Sequence, residues 1–178
     1  MTSLLKIARL GHPTIRENSV TVSPDQLASS AVQQFIDQLV ETMRDAHGVG
    51  IAAPQVHVSQ QIIAVEVLPD NPRYPNQVPV PLTVVVNPKI VEHDDRTDEQ
   101  WEGCLSVPDL RGRVSRWLSV KVEGLNRKGQ PVTLEARGFF ARVLQHEIDH
   151  LHGYVFLDRL LDLKTLTHLR EYELYWKK

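Results

Sequence analysis

The sequence predicts an α+β fold in which mostly antiparallel strands pack around a buried central helix, with an N-terminal amphipathic helix and a C-terminal helix. Three observations lead to this prediction. Helical hydrophobic spacing occurs early and late in the chain, Val- and Ile-rich segments lie between, and the elements do not alternate as βαβ units. The 178 residues contain no repeat and no Gly/Ser linker, so we expect a single domain over residues 1–178.

The first element is an amphipathic helix. Apolar residues recur at helical spacing from Val32 to Met43, and Gly48 lies beyond the end. Five prolines between Pro69 and Pro81 then exclude a helix interior or a central strand, which predicts a long surface loop.

The strand predictions depend on β-branched residues, which are common in sheets. The predicted strands are Gln61 to Val67, Leu82 to Val91, Ser119 to Leu125 and, after a hairpin turn at 127–130, Val132 to Ala136.

The two later helices differ in character. From Phe139 to His152 apolar residues occupy more than one face, so this helix is predicted to be buried. From Leu163 to Trp176 the leucines are interrupted by charged residues, which predicts a surface helix.

Composition narrows the function classes. A formal charge of -2 and a pI near 6.4 provide no basic surface for DNA. No apolar run approaches the roughly 20 residues that cross a bilayer, and the first residues lack the features of a signal peptide. The single cysteine agrees with a reducing compartment. We therefore expect a cytoplasmic protein with no DNA or membrane partner.

The buried helix contains a metal-binding pattern, His146-Glu147-Ile148-Asp149-His150. Residues four apart lie on one helical face, so both imidazoles can bind one divalent ion. Glu147 would then accept and return the proton of a water at the site. The alternative is a chance pair of histidines on a core helix. It is weakened by the enclosed glutamate, because an unpaired buried carboxylate is costly.

The residue spacing leaves the third ligand open between two candidates. Glu171 lies 21 residues after His150, within a charged stretch typical of a solvated helix face. Cys104 lies in a segment bounded by Gly103 and Pro108, which we interpret as an irregular, rigid loop.

Three ordered motifs resemble those of the type I, bacterial-like peptide deformylases: 48-GVGIAAPQ-55, 102-EGCLS-106 and 145-QHEIDHLHG-153. The resemblance extends over nearly the whole chain. It implies that Cys104 is the third ligand and that the reaction removes the formyl group from N-terminal formylmethionine, releasing formate. It also implies a catalytic role for Glu147, with the Gln55 amide and the Leu105 backbone N–H as oxyanion donors. Fe(II) is the native ion that it implies, and Zn(II), Ni(II) or Co(II) are expected substitutes in purified protein.

The resemblance further indicates where the peptide binds. Residues expected to contact it are Gly48, Val49, Gly50, Glu102, Gly103, Arg111, Phe139 and Val143. Of these, Val49, Phe139 and Val143 would line the methionine pocket. We also predict that Tyr74 borders the entrance and that Arg116 and Asp149 form an ion pair behind the metal helix.

The expected partners are N-formylmethionyl peptides and nascent chains. A transient contact of the last helix with the ribosome is a further expectation, weakened because Lys164 and Arg170 are mixed with acidic residues. Two competing hypotheses remain: a metalloprotease that uses Glu171, and an inactive relative that only binds peptides.

Overall fold

The computed structural model describes residues 3–71, 73–74 and 76–177. Its strands are, in chain order, β1 (Gly50–Ala52), β2 (Ile62–Val67), β3 (Val80–His93), β4 (Thr97–Cys104), β5 (Val107–Trp117), β6 (Ser119–Leu125), β7 (Pro131–Arg137) and β8 (Thr167–His168). One sheet has the order β1-β2-β3-β6-β7 and the other the order β4-β5-β8, and neighbouring strands are antiparallel. The predicted α+β class is confirmed.

The helices of the described residues are α1 (Pro24–Ala28), α2 (Ser30–Asp45), α3 (Gly138–Leu151) and α4 (Leu169–Tyr175). The predicted amphipathic helix corresponds to α2, whose buried side includes Ile36, Leu39 and Met43. Within the described ranges, no helix combines the length and apolar character that crossing a membrane requires.

Strand β2 lies between two helices. Ile63 and Val65 pack in a cluster with Leu144 of α3, whereas Ile62 and Ala64 pack in a second cluster with Leu39 of α2. Side chains alternate between the faces of a strand, so a strand covered on both faces is apolar at nearly every position. Helix α3 contacts β1, β2 and β7 of the larger sheet and also β5 of the smaller sheet, and it is buried from Ala141 to Leu151.

The proline-rich loop is shorter than predicted. Strand β3 begins at Val80, so Pro81 lies inside a strand. A proline is tolerated at this position because β3 is an edge strand there. Near Pro81 its neighbour is β2, and β6 pairs with β3 only from Val86 onward, so one side of β3 needs no backbone N–H donor at Pro81. The loop prediction also covered Pro72 and Pro75, which lie outside the described residues.

The segment around Cys104 is a β-hairpin, so its interpretation as an irregular loop was wrong. Cys104 ends β4 and pairs with Val107 at the start of β5. Polar residues such as Glu99 and Gln100 hid β4 from the sequence pattern, because β-branched and aromatic residues provide that signal. The hairpin gives the cysteine a fixed place at a strand end.

The C-terminal helix is also shorter than predicted. A 3₁₀ turn at Leu163–Thr165 and strand β8 precede α4, which has seven residues. Thr167 and His168 pair with Arg111 and Leu110 of β5, and these strand hydrogen bonds replace helical ones. Leucine spacing predicted too long a helix because Leu163 is 74% exposed and belongs to none of the hydrophobic clusters formed by the described residues.

Candidate metal centre

Three side chains from α3 and β4 converge on one point. The ligand atoms of Cys104, His146 and His150 all lie within 4.8 Å of one another, and Cys104 Sγ is 3.2 Å from His150 Nε2. The histidines meet because they are one helical turn apart on α3. The cysteine reaches them because the β4–β5 hairpin packs against that helix. Within the described ranges this is the group with the spacing of a metal site, and it does not include Glu171, which is exposed on α4.

The donor set fits a divalent ion. Burial raises the pKa of the Cys104 thiol, but the adjacent imidazoles of His150 and His146 outweigh this effect and hold its pKa well below the usual range. A thiol with a low pKa is a thiolate, which is the form that binds metals. One thiolate and two imidazoles make three protein ligands, the number typical of catalytic sites that keep a coordination position open.

Glu102 orients the first histidine. Its Oε2 lies 2.9 Å from His146 Nδ1, which leaves Nε2 of that ring for an ion. Both carboxylate oxygens also accept hydrogen bonds from Arg116, at 3.0 and 3.1 Å. Burial opposes ionisation of Glu102, yet His146 and Arg116 hold its pKa well below the ordinary value. Glu102 lines the cavity, but its carboxylate is committed to these partners.

Sequence reasoning missed Arg142, which holds Glu102 from α3. Its Nη1 donates to Glu102 Oε1 at 2.7 Å and to the Val114 carbonyl at 2.9 Å, and its Nη2 donates to the Asp98 carbonyl at 2.6 Å. Arg142 therefore joins α3 to both strands of the hairpin. A buried arginine in an apolar helix is the signal that could have identified it, because such a charge requires partners.

The predicted pair behind the helix is present. Arg116 donates to Asp149 at 2.5 Å, and Arg159 reaches the same carboxylate at 2.7 and 3.2 Å. Because Arg116 also binds Glu102, it connects the carboxylate that orients His146 with the back of α3.

Glu147 is buried beside the metal-binding group. Its Oε2 has no hydrogen-bond partner among the described residues, and burial raises the pKa of this carboxyl to about 7. A group with a pKa near neutrality can both accept and return a proton. Gly50 makes room for it, since a Cβ built there would lie 2.4 Å from Glu147 Oε1.

Gln55 is fixed with its amide nitrogen toward the cysteine. The Ala52 N–H donates to Gln55 Oε1 at 2.8 Å, while Gln55 Nε2 donates to Ser106 Oγ at 3.2 Å and to Cys104 Sγ at 3.5 Å. Sequence reasoning assigned no role to Ser106, although it lies in the second motif. It is fully buried, and its N–H donates to Cys104 Sγ at 3.4 Å.

A cavity opens over the metal-binding group. The predicted site residues that line it are Gly48, Val49, Gly50, Gln55, Glu102, Gly103, Cys104, Leu105, Phe139, Val143, His146 and Glu147. Tyr74 also lines it and packs against Phe139, with ring centroids 4.9 Å apart. Arg111 does not border this cavity and lies in the adjoining groove instead. The structure thus brings together all but one of the predicted substrate contacts.

Comparison with known proteins identifies the family. The sequence matches the model of the polypeptide deformylase family over residues 4–166. The chain belongs to the polypeptide deformylase family. It is 43% identical over 175 residues to peptide deformylase 2 of Nostoc sp., covering 98% of this chain and 96% of that protein. It is 39% identical over 168 residues to peptide deformylase 1 of Prochlorococcus marinus, covering 94% and 86%.

Solved deformylases share the fold. A class I type b peptide deformylase from Acinetobacter baumannii with bound Met-Ala-Ser superposes with a TM-score of 0.87 at 42% identity, covering 90% of this chain and 100% of that one. The deformylase of Thermotoga maritima gives a TM-score of 0.78 at 34% identity, covering 90% and 99%. The chain is accordingly a metal-dependent hydrolase that removes the N-terminal formyl group of new polypeptides. This result excludes the metalloprotease that would use Glu171 as a ligand.

Proposed function

We propose that Cys104, His146 and His150 hold one divalent ion, natively Fe(II), and that Glu147 is the proton-transfer residue of deformylation. The observation that carries this proposal is the buried Glu147 carboxylate, whose Oε2 has no hydrogen-bond partner in the described part of the chain, beside three ligand atoms within 4.8 Å of one another. Thiolate and imidazole donors suit Fe(II), and they also accept Zn(II), Ni(II) or Co(II). When bound, the ion supplies Lewis acidity toward the formyl oxygen and lowers the pKa of a water.

The protein's own groups move the proton and stabilise the developing charge. Glu147 accepts a proton from the attacking water and delivers it to the departing amine nitrogen as the formyl C–N bond breaks. The Gln55 side-chain amide and the Leu105 backbone N–H donate hydrogen bonds to the oxygen of the tetrahedral intermediate. Gln55 is suited to this role because Ala52 fixes which end of its amide faces the cavity.

The peptide is held as an added strand with its first side chain buried. Gly48 and Val49 before β1, Gly50 at the start of β1 and Gly103 in β4 offer backbone groups to an extended peptide. Val49, Phe139 and Val143 line the pocket for the methionine side chain, with Tyr74 at its edge. The substrates are N-formylmethionyl peptides and nascent chains, which the enzyme meets in the cytoplasm.

The assignment is tested by following formate release from formyl-Met-Ala-Ser with anaerobically prepared iron, zinc and nickel forms. Glu147→Gln should retain the ion and lose at least about 100-fold in kcat, because general acid–base catalysis contributes that much or more. Cys104→Ser should lose the ion itself. Glu171→Gln, on exposed α4, is the matched control and should behave as wild type. No formate release with any metal would contradict the proposal.

A further inference from the structure

A groove continues from the metal cavity toward the C-terminal helix. One side is formed by the β4–β5 hairpin, including Leu105 and Arg111, and the other by Leu169, Tyr172 and Lys177 at α4. Its volume is about 350 Å³, against about 50 Å³ for the cavity over the metal-binding group. A peptide whose methionine fills the small cavity therefore has room for further side chains in the groove.

Aromatic rings separate the cavity from the groove. Tyr74 and Trp101 border both spaces. Trp101 packs against Tyr172 with ring centroids 5.2 Å apart and against Trp176 at 5.7 Å. The planes are tilted by 58° and 47°, so the rings meet obliquely rather than as a closed parallel stack.

The short helix that carries Tyr172 is fixed to the hairpin. Seven residues are too few for a helix to hold its place by its own hydrogen bonds. Here β8, directly before α4, pairs with Leu110 and Arg111 of β5, and the Arg113 N–H donates to Thr165 Oγ at 3.2 Å. The strand pairing therefore sets the position of Tyr172 relative to the metal site.

Arg111 supplies a polar contact on the opposite wall. Its guanidinium lies against Gly103, where a Cβ would be 2.3 Å from Nη1, and Nη1 donates to the Leu110 carbonyl at 2.7 Å. Among the described residues it forms no ion pair with a carboxylate, so its other N–H groups can reach a peptide carbonyl. The groove thus combines an aromatic wall with a backbone anchor.

We propose that Trp101 and Tyr172 form a distal subsite that binds an aromatic side chain at one of the two peptide positions after the methionine. Helix α4 is then a substrate-specificity element of this enzyme. Aromatic rings meet favourably in tilted geometries and gain about 0.5–1.5 kcal/mol beyond area burial. The inference rests on the proposed function, because it assumes that the peptide runs from the metal cavity into the groove.

The test compares kcat/KM of the iron enzyme for formyl-Met-Ala-Ser, formyl-Met-Phe-Ser and formyl-Met-Ala-Phe. One phenylalanine peptide should be preferred about twofold to twelvefold over formyl-Met-Ala-Ser, the ratio that an aromatic contact supports. Tyr172→Ala should bring that ratio close to one, and Tyr172→Phe should preserve it. Tyr175→Ala is the matched control, because Tyr175 lies on the same helix and is 70% exposed outside the groove. If Tyr172→Ala does not fold, Tyr172→Leu removes the ring while keeping an apolar side chain.

The outcomes separate the two proposals. Equal kcat/KM for all three peptides, or a preference that survives loss of the Tyr172 ring, overturns the distal subsite while formate release still supports deformylation. A preference that Tyr175→Ala abolishes as fully as Tyr172→Ala also overturns the subsite. Absence of formate from every peptide overturns the proposed function instead.

Discussion

Replacing Gly50 by alanine tests whether the Glu147 carboxylate must lie where the structure places it. Gly50 begins β1 and pairs with Val65, and its φ is not positive, so alanine suits the backbone. The difficulty is steric. The new Cβ would lie 2.4 Å from Glu147 Oε1 and 2.8 Å from Val143 Cγ1.

The expected magnitude follows from these distances. Ordinary van der Waals contact begins near 3.4 Å, so the carboxylate must retreat by about 1 Å from its 2.4 Å separation. A displacement of that size at a reacting group costs about 100-fold in rate. Overpacking should lower the free energy of unfolding by about 1–3 kcal/mol. Alanine also reduces the conformational entropy of the unfolded chain relative to glycine, which raises the free energy of unfolding by about 0.4–1 kcal/mol. Tm should therefore fall by only a few degrees.

The assay is formate release by the iron enzyme, with metal content and Tm measured on the same preparation. Gly124→Ala is the comparison variant, because its Cβ would also be overpacked, at 2.7 Å from Val85 Cγ1 and 2.9 Å from the Val86 carbonyl oxygen, and neither contact belongs to the site. We expect Gly50→Ala to lose about 100-fold in kcat with metal content retained, and Gly124→Ala to lose far less kcat. A Gly50→Ala enzyme with full metal content and kcat within about threefold of wild type would refute the reasoning.

Three further predictions concern charges around α3. Glu102→Gln should weaken metal binding by about 10- to 100-fold in a competition titration, because the partner of His146 loses its charge. Glu99→Gln on the same strand is the control. If Glu102→Gln weakens metal binding no more than Glu99→Gln does, Glu102 does not orient the ligand. In the metal-free protein, burial raises the pKa of Glu147 to about 7, so the folded state binds a proton more tightly than the unfolded state, and stability falls as pH rises from about 4.5 to about 7. Glu147→Gln removes this cost and should raise Tm relative to wild type at pH 8 but not near pH 4; equal melting temperatures at pH 8 would count against it. In denaturant unfolding, Arg116→Met should lower the free energy of unfolding by about 3–5 kcal/mol, because it leaves a buried carboxylate without its partner. A double-mutant cycle with Asp149→Asn should give a coupling energy of about 1–3 kcal/mol. Additive effects of the two substitutions would exclude the ion pair.

Patterns local in sequence predicted much of this protein correctly. Two histidines four apart on a helix must share a face, whatever surrounds them, so His146 and His150 could be paired without a structure. The amphipathic spacing of α2 and the Val-rich strands likewise follow from which side chains must avoid water. Charge and composition agreed with an ordinary globular enzyme.

Tertiary structure decided what lies opposite the helix. The spacing alone left Cys104 and Glu171 open as third ligands, and only the packing of the β4–β5 hairpin on α3 brings the thiol to His150. The strands of that hairpin were hidden because charged residues cover their faces, and their partners are residues distant in the chain. Arg142 acquired its role in the same way, by reaching carbonyls of both strands and the carboxylate of Glu102.

The C-terminal segment shows the same limit. Its leucines have helical spacing, yet strand pairing with β5 outweighs that local preference over Thr167 and His168, and the helix is shortened to Leu169–Tyr175. Sequence alone identified His146, His150 and Glu147 as residues able to bind an ion or transfer a proton, because those properties belong to side-chain chemistry and to the period of a helix. The fold decided which distant residues surround them, because hydrogen bonds between strands and burial between helices depend on contacts that no local pattern contains.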